Sequence, residues 1–313
     1  MMPRFFRFLS SLGLAAAAFV ASQPAQAYCR TKACDTDPSY GDAWDGAEPT
    51  ECVRNAQGCF IQGTPLWRSS DCISFGVQRD GSASSGIDFD TARAIVQVGF
   101  DTWAAADCGG GETPSFISED RGEIACERIE YNQRAPNANV FLFRDNDWPY
   151  DNLGGHALAL TTITYSVETG EIYDADVEFN SHQSTFTTTD EPLEIISDFQ
   201  SVATHEIGHV LGLSHSERST AVMRGTGYSE GSIDLRTLTD DDITGICDVF
   251  PPGPARGSCK PRHGFSAECE DDAPLAGNGG CRFDPRGTPS SSSALLALAV
   301  LGLVLRRRRA PRP

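Results

Sequence analysis

The segment His205-Glu206-Ile207-Gly208-His209 leaves this chain few structural options. On a helix its two imidazoles stand about 40° apart around the axis and one turn apart along it, so both can reach one ion. Glu206 sits beside them. If the helix continued, His215 would lie about 240° around from His209 and about 9 Å further along, on the wrong face. Gly212 falls between the two. A glycine there can take positive φ, end the helix and turn Leu213-Ser214-His215 back beneath the ion. The fold must therefore hold a helix and a returning loop against each other.

Three neutral imidazoles leave the double positive charge of the metal intact. The open fourth position of a tetrahedral zinc then holds a water whose pKa falls to near 7. Glu206 can take that proton as general base while the metal polarises a scissile carbonyl, and can pass it to the leaving amine. One catalytic Zn²⁺ is expected, held by His205, His209 and His215, with Glu206 as the catalytic residue. In a two-histidine zinc helix a downstream acid such as Glu230 would complete the site and His215 would be a plain loop residue. An ordinary core helix with satisfied histidines is the other alternative, but chance yields this spacing in roughly 10⁻⁵ of chains.

Residues 1–27 carry Arg4 and Arg7, an apolar run from Leu12 to Val20 and then Ala25-Gln26-Ala27. That order is a secretory signal, so the exported chain is expected to begin at Tyr28. Eleven cysteines in an exported chain imply disulfides. If Cys281, which stands apart before a hydrophobic tail, is set aside, the other ten can form five bridges, and residues 127–246 contain none. The net charge is −18, and without the seven arginines of the two ends the body holds 18 basic against 43 acidic residues. Such a surface repels nucleic-acid phosphates and anionic lipid, which removes both as partners of the body.

Residues 28–65, rich in Cys, Gly, Asp and Pro without periodicity, read as a cross-linked N-terminal segment or a short pro-region. A catalytic domain is expected over 66–251. Within it, 72–77 alternates like a strand, and Ala92, Ile95, Val96, Phe100 and Trp103 fall at helical spacing behind Asp88 or Asp90 as cap. Residues 140–143 read as a strand, and 157–167 with 172–179 as a hairpin. The helix bearing His205 and His209 is expected over about 192–211. Thr239 caps a last helix with Asp240, Asp241 and Asp242 in its first turn and Ile243, Ile246 and Val249 or Phe250 inward. Residues 252–289 read as a Pro/Gly-rich linker in which Cys259 and Cys269 close a small loop, and 290–313 as a hydrophobic tail.

His205 to His215, with Met223 eight residues later, resembles the metzincins, in which a methionine-containing turn lies beneath the metal. Ser216 after the third histidine is similar to the matrixin branch, and Gly225 stands where astacins offer a tyrosine. The likeness covers roughly residues 65–251, including Asp176-Val177-Glu178-Phe179-Asn180 and Leu238-Thr239-Asp240-Asp241-Asp242-Ile243. It implies an α+β fold of the metzincin catalytic type: a twisted, mostly parallel sheet with an antiparallel edge strand and three main helices. Met223 and Gly212 would support the site. It further implies a zinc endopeptidase acting on protein or peptide substrates. Residues 157–161 resemble the edge strand that pairs with an extended substrate, although a buried central strand fits almost as well.

The chain departs from the matrixin pattern in three places. No PRCGxPD switch is present, so cysteine-on-zinc latency does not carry over to Cys29, Cys34, Cys52 or Cys59. Glu178 stands where vertebrate matrixins usually place a structural-zinc histidine. The run from Met223 to Tyr228 lacks the proline wall of the specificity pocket. Asp145, Asp147 and Asp151 on one loop, with Asp174 and Asp176 on another, carry the oxygen ligands that Ca²⁺ takes. A solvated acidic face explains them more simply, so Ca²⁺ stays outside the expected site.

Residues 280–313 resemble a MYXO-CTERM type sorting tail, with Cys281, a Ser-rich spacer, a short aliphatic helix over 294–305 and Arg306 to Arg309. The resemblance implies processing near Cys281 and display at the cell surface. The aliphatic part is short against a standard span of about 20 residues. A plain C-terminal membrane anchor is the alternative. Membrane contact is expected only through this tail, and nothing in the sequence sets an oligomeric state. Two other functions compete: a non-catalytic metzincin fold used for binding at the cell surface, and a metallohydrolase of non-peptide amides. The first would normally have lost a ligand or the glutamate.

Overall fold

The structure, a computed structural model, describes residues 28–33, 55, 59–150, 157–166, 168–225 and 228–270. In chain order its elements are β1 (Cys29–Arg30), β2 (Lys32–Ala33), β3 (Thr64–Pro65), β4 (Cys72–Gln78), α1 (Phe89–Ala104), β5 (Ile117–Ile124) and β6 (Val140–Phe143). There follow β7 (Ala159–Tyr165), β8 (Ile172–Phe179), β9 (Phe186–Thr187), β10 (Ser197–Asp198), α2 (Phe199–Val210), β11 (Leu213–Ser214), a 3₁₀ turn at Asp234–Arg236 and α3 (Asp240–Val249). Five strands form one sheet in the order β5-β4-β6-β8-β7. All pair in parallel except β7, which runs antiparallel to β8 at one edge.

Alternation along the strands sorts their side chains between two layers. Ile73, Phe75, Val77, Phe141, Phe143, Val177 and Phe179 turn to one side, where they meet Phe100 and Trp103 of α1 and Phe199 and Ile207 of α2 in the main core. Phe75 stacks on Phe100 with ring centroids 4.7 Å apart. Asp88 caps α1, its carboxylate accepting from the Thr91 amide at 2.8 Å. The opposite face of β4 is also buried, because Ile124, Val140 and Leu142 pack there with Phe265 and Ala267 from the chain that follows α3.

That last packing replaces the small loop expected between Cys259 and Cys269. Cys259 pairs with Cys72 and Cys269 with Cys126, so each ties the segment after Pro252 onto the sheet. The backbone agrees: the Ala125 and Cys126 amides donate to Ala267 O, and the Asn137 amide donates to Gly264 O. Cys108–Cys247 joins the end of α1 to α3, and Cys29–Cys59 holds the start of the described chain. Cys34, Cys52 and Cys281 lie outside the described residues, as do the 1–27 signal and the tail.

The α2 helix begins at Phe199 and not near Pro192. Asp198 is its cap, accepting from the Ser201 amide at 2.8 Å and held by Arg236. Pro192, Leu193 and Glu194 form a turn instead, with Leu193 fully exposed, and Ser197–Asp198 then pairs as β10 with β9. β5 has no counterpart in the sequence reading. Its Ile-Ser-Glu-Asp-Arg-Gly-Glu-Ile run is polar, and pairing with β4 holds it in place.

Asp174 and Asp176 sit together inside β8. Burial pushes Asp174 up to about 8, opposed by the nearby Arg68, and pushes Asp176 well above the carboxylate range with the Asp174 charge adding to it. The pair therefore keeps a proton that the unfolded chain gives up near pH 4. A folded pKa raised above the unfolded one makes stability complete below about pH 4 and progressively lost as pH rises toward about 8. Asp174→Asn is expected to flatten the decline in melting temperature between those limits. An unchanged pH slope in thermal denaturation would contradict it.

Candidate metal centre

The α2 helix is fixed from below. Trp103 Nε1 donates to Thr204 O at 2.8 Å, and Ile207 is fully buried against α1. Gly208 lies between the two histidines of the helix. A Cβ there would stand 2.2 Å from Met223 Sδ and 2.9 Å from the Trp103 ring, so only glycine lets the methionine turn come this close. Gly212 takes φ +100, a left-handed conformation that costs other residues energy, and the helix stops. The Arg68 guanidinium takes up the end carbonyl, donating to Val210 O at 2.8 and 3.0 Å. After the turn, Leu213–Ser214 pairs with Cys29–Arg30, and the Thr31 amide donates to Gly212 O, which aims the next residue back at α2.

That residue is His215. The three imidazoles converge, with ring centroids 4.8 to 5.3 Å apart and all their ligand nitrogens within 4.8 Å of one another. Two nitrogens bound at about 2.0–2.1 Å to one tetrahedral zinc stand about 3.3 Å apart. His209 Nε2 and His215 Nε2 are 3.2 Å apart. His205 Nδ1 faces Val222 O at 2.6 Å and His209 Nδ1 faces Leu213 O at 2.8 Å. A carbonyl can only accept, so both rings carry hydrogen on Nδ1 and present an Nε2 lone pair to an ion. Burial, joined by the neighbouring imidazoles, holds His205 well below its ordinary range, and burial also lowers His209. These are neutral donors of the kind zinc takes, and the donor set fits that ion.

Glu206 is buried beside the cluster, and burial pushes its carboxyl up to about 7. Thr161 on β7 opposes that shift by donating to Glu206 Oε2 at 2.6 Å. Tyr228 lies edge-on to His205, and its buried hydroxyl bonds no group among the described residues. Burial and the Glu206 charge hold that phenol well above its usual range.

The turn beneath the site hangs on one carboxylate. Asp242, 1% exposed, accepts from the Val222 amide at 2.9 Å and the Met223 amide at 3.0 Å. It also accepts from the Thr239 amide and hydroxyl at the start of α3. Sequence reasoning placed Asp242 only as a first-turn charge; no local pattern tells a helix-capping aspartate from one that also holds a distant turn. Asp242→Ala strands several buried donors and is expected to cost on the order of 3 kcal/mol. A urea midpoint unchanged from the wild type would contradict this.

The other sequence candidates lie apart from the imidazoles. Asp145 is taken up by the hydroxyls of Ser82, Ser84 and Ser181 and by the Ser84 amide. Asp176 accepts from the Glu130 and Val140 amides, Asp147 is exposed, and Asp151 and His156 lie outside the described residues. Glu178, fully buried, is bonded by Arg144 and Tyr150, so two side chains of this chain satisfy it. His182 and His263 are exposed. Thr161, Tyr228 and Arg68 are the site residues that sequence reasoning missed.

Residues 127–251 match the family model described as Matrixin. The chain is 46% identical over 65 residues to Metalloendoproteinase 1-MMP of Arabidopsis thaliana, covering 20% of this chain and 16% of the relative. It is 28% identical over 168 residues to Matrix metalloproteinase-16 of Mus musculus, with 53% and 24% covered. Matrix metalloproteinase-25 of Homo sapiens is 30% identical over 183 residues, with 57% and 29% covered. The chain thus spans under a third of the length of these relatives. Both the sheet with its antiparallel edge strand and three helices and the matrixin match place the fold in the metzincin α+β class.

Proposed function

We propose that this chain is an exported zinc-dependent endopeptidase of the matrixin kind, with His205, His209 and His215 as ligands of one zinc and Glu206 as general base. The observation that carries the reading is the convergence of three imidazoles, two of them held with Nε2 toward the shared point, beside a buried carboxylate. When bound, zinc supplies a Lewis acid that polarises a carbonyl and lowers the pKa of water. Glu206, buried beside the ligands and oriented by Thr161, takes the proton of the attacking water and returns it to the leaving amine. Val222 O and Leu213 O keep two ligand rings in one tautomer. The free edge of β7 offers backbone groups to an extended peptide, giving affinity largely independent of its side chains. A buried Glu206 with no chemistry to perform would be a pure cost, which speaks against a non-catalytic binding fold.

The assay that tests this uses the purified full chain on denatured protein and on peptides. Cleavage is expected to stop with a chelator and return with added zinc, and cleavage that persists in metal-stripped protein would overturn the reading. The same reading has the chain exported, cut before Tyr28 and processed near Cys281 for display at the cell surface. Among the described residues no helix is long and apolar enough to cross a membrane. Peptide mapping of both termini tests this part: an intact Arg306 to Arg309 on fully exported protein would favour a plain anchor.

A further inference from the structure

Thr161 is out of place in its row. Along β7 the side chains of Ala159, Thr161 and Ile163 share a face, and their partners across the pair are Phe179, Val177 and Ala175 of the main core. Valine would fill such a position as well, since it has the same branched shape. Among these three side chains the hydroxyl is the only polar group, and it finds a partner on another element: Oγ1 donates to Glu206 Oε2 at 2.6 Å. Glu206 O is also near, at 3.4 Å, but a hydroxyl has one hydrogen and the shorter contact takes it. A β-branched side chain has little rotational freedom, so the direction of this bond is set by the strand itself.

We propose that Thr161 is the positioning residue of the Glu206 carboxylate, holding Oε2 so that Oε1 is left to face the reacting water. The proposal rests on the reading of Glu206 as general base. Thr161 lies on the strand whose free edge would receive an extended substrate, so one strand both docks the peptide and orients the base. Among the described residues, no other side chain is seen to bond the Glu206 carboxylate.

Thr161→Val keeps the shape and removes the bond, and Thr161→Ser keeps the bond with a freer rotor. In the zinc-loaded full chain, Thr161→Val is expected to lower kcat about 10- to 100-fold, with KM within about twofold and zinc content and melting temperature unchanged. Thr161→Ser is expected to recover most of the loss. A second readout needs no turnover: the affinity of a peptidyl hydroxamate, measured by calorimetry, should fall about tenfold in Thr161→Val but not change further when Thr161→Val is added to Glu206→Ala. Wild-type kcat in Thr161→Val overturns the proposal. So does an equal loss in the Glu206→Ala background, or a serine variant no better than valine. If the wild type cleaves no peptide, the endopeptidase reading fails, and the hydroxamate cycle still decides the role of Thr161.

Discussion

Glu206→Gln is expected to lower peptide hydrolysis by roughly 10²- to 10⁴-fold while zinc content stays near one per chain. Glutamine keeps the length and planarity of the side chain, and its carbonyl oxygen can still accept from Thr161. The three imidazoles are untouched. What disappears is the buried carboxylate beside the ligands, the group that takes a proton and gives it back. Substrate docking along β7 does not involve the removed charge, so the loss belongs in kcat far more than in KM. A variant that turns over as fast as the wild type would remove Glu206 from the mechanism and leave its burial unexplained.

His215→Ala is expected to lose zinc and turnover together. His215 is the exposed member of the cluster, carried on a loop that exists only because Gly212 turns the chain at φ +100 and β11 pairs with β1. Removing one of three ligands should exceed the 10- to 100-fold that loss of a mere outer-shell partner costs in metal affinity. His182→Ala and His263→Ala should keep both metal and activity, because these rings lie on the surface away from the cluster. Metal analysis of the three variants side by side separates the possibilities. Tight zinc in His215→Ala would mean that another group, such as Glu230, completes the site.

The site was more legible in the sequence than the fold around it, and the reason is the range of the interactions. His205, Glu206 and His209 belong to one helix, and Gly212 with His215 follows within a few residues, so local geometry alone predicts their meeting. The start of α2 was misplaced because Leu193, Ile195 and Ile196 look helical by composition, whereas Asp198 with its bond to the Ser201 amide decides where the helix can begin. β5 escaped because its residues carry no apolar alternation and are held by the neighbouring strand. Cys259 and Cys269 looked like a local loop, but their partners, Cys72 and Cys126, are far away in sequence and close only across the sheet. Asp242 and Thr161 failed for the same reason. Each acts through a residue on another element, and no spacing rule reaches that far.

Native mass spectrometry of the purified full chain, read together with a peptide-cleavage assay on the same sample, bears most directly on the three-histidine centre. One zinc per chain is predicted in the wild type and in Glu206→Gln and none in His215→Ala, with cleavage in the wild type alone. An active chain that carries no zinc, or a His215→Ala chain that keeps its zinc and cleaves, would contradict it.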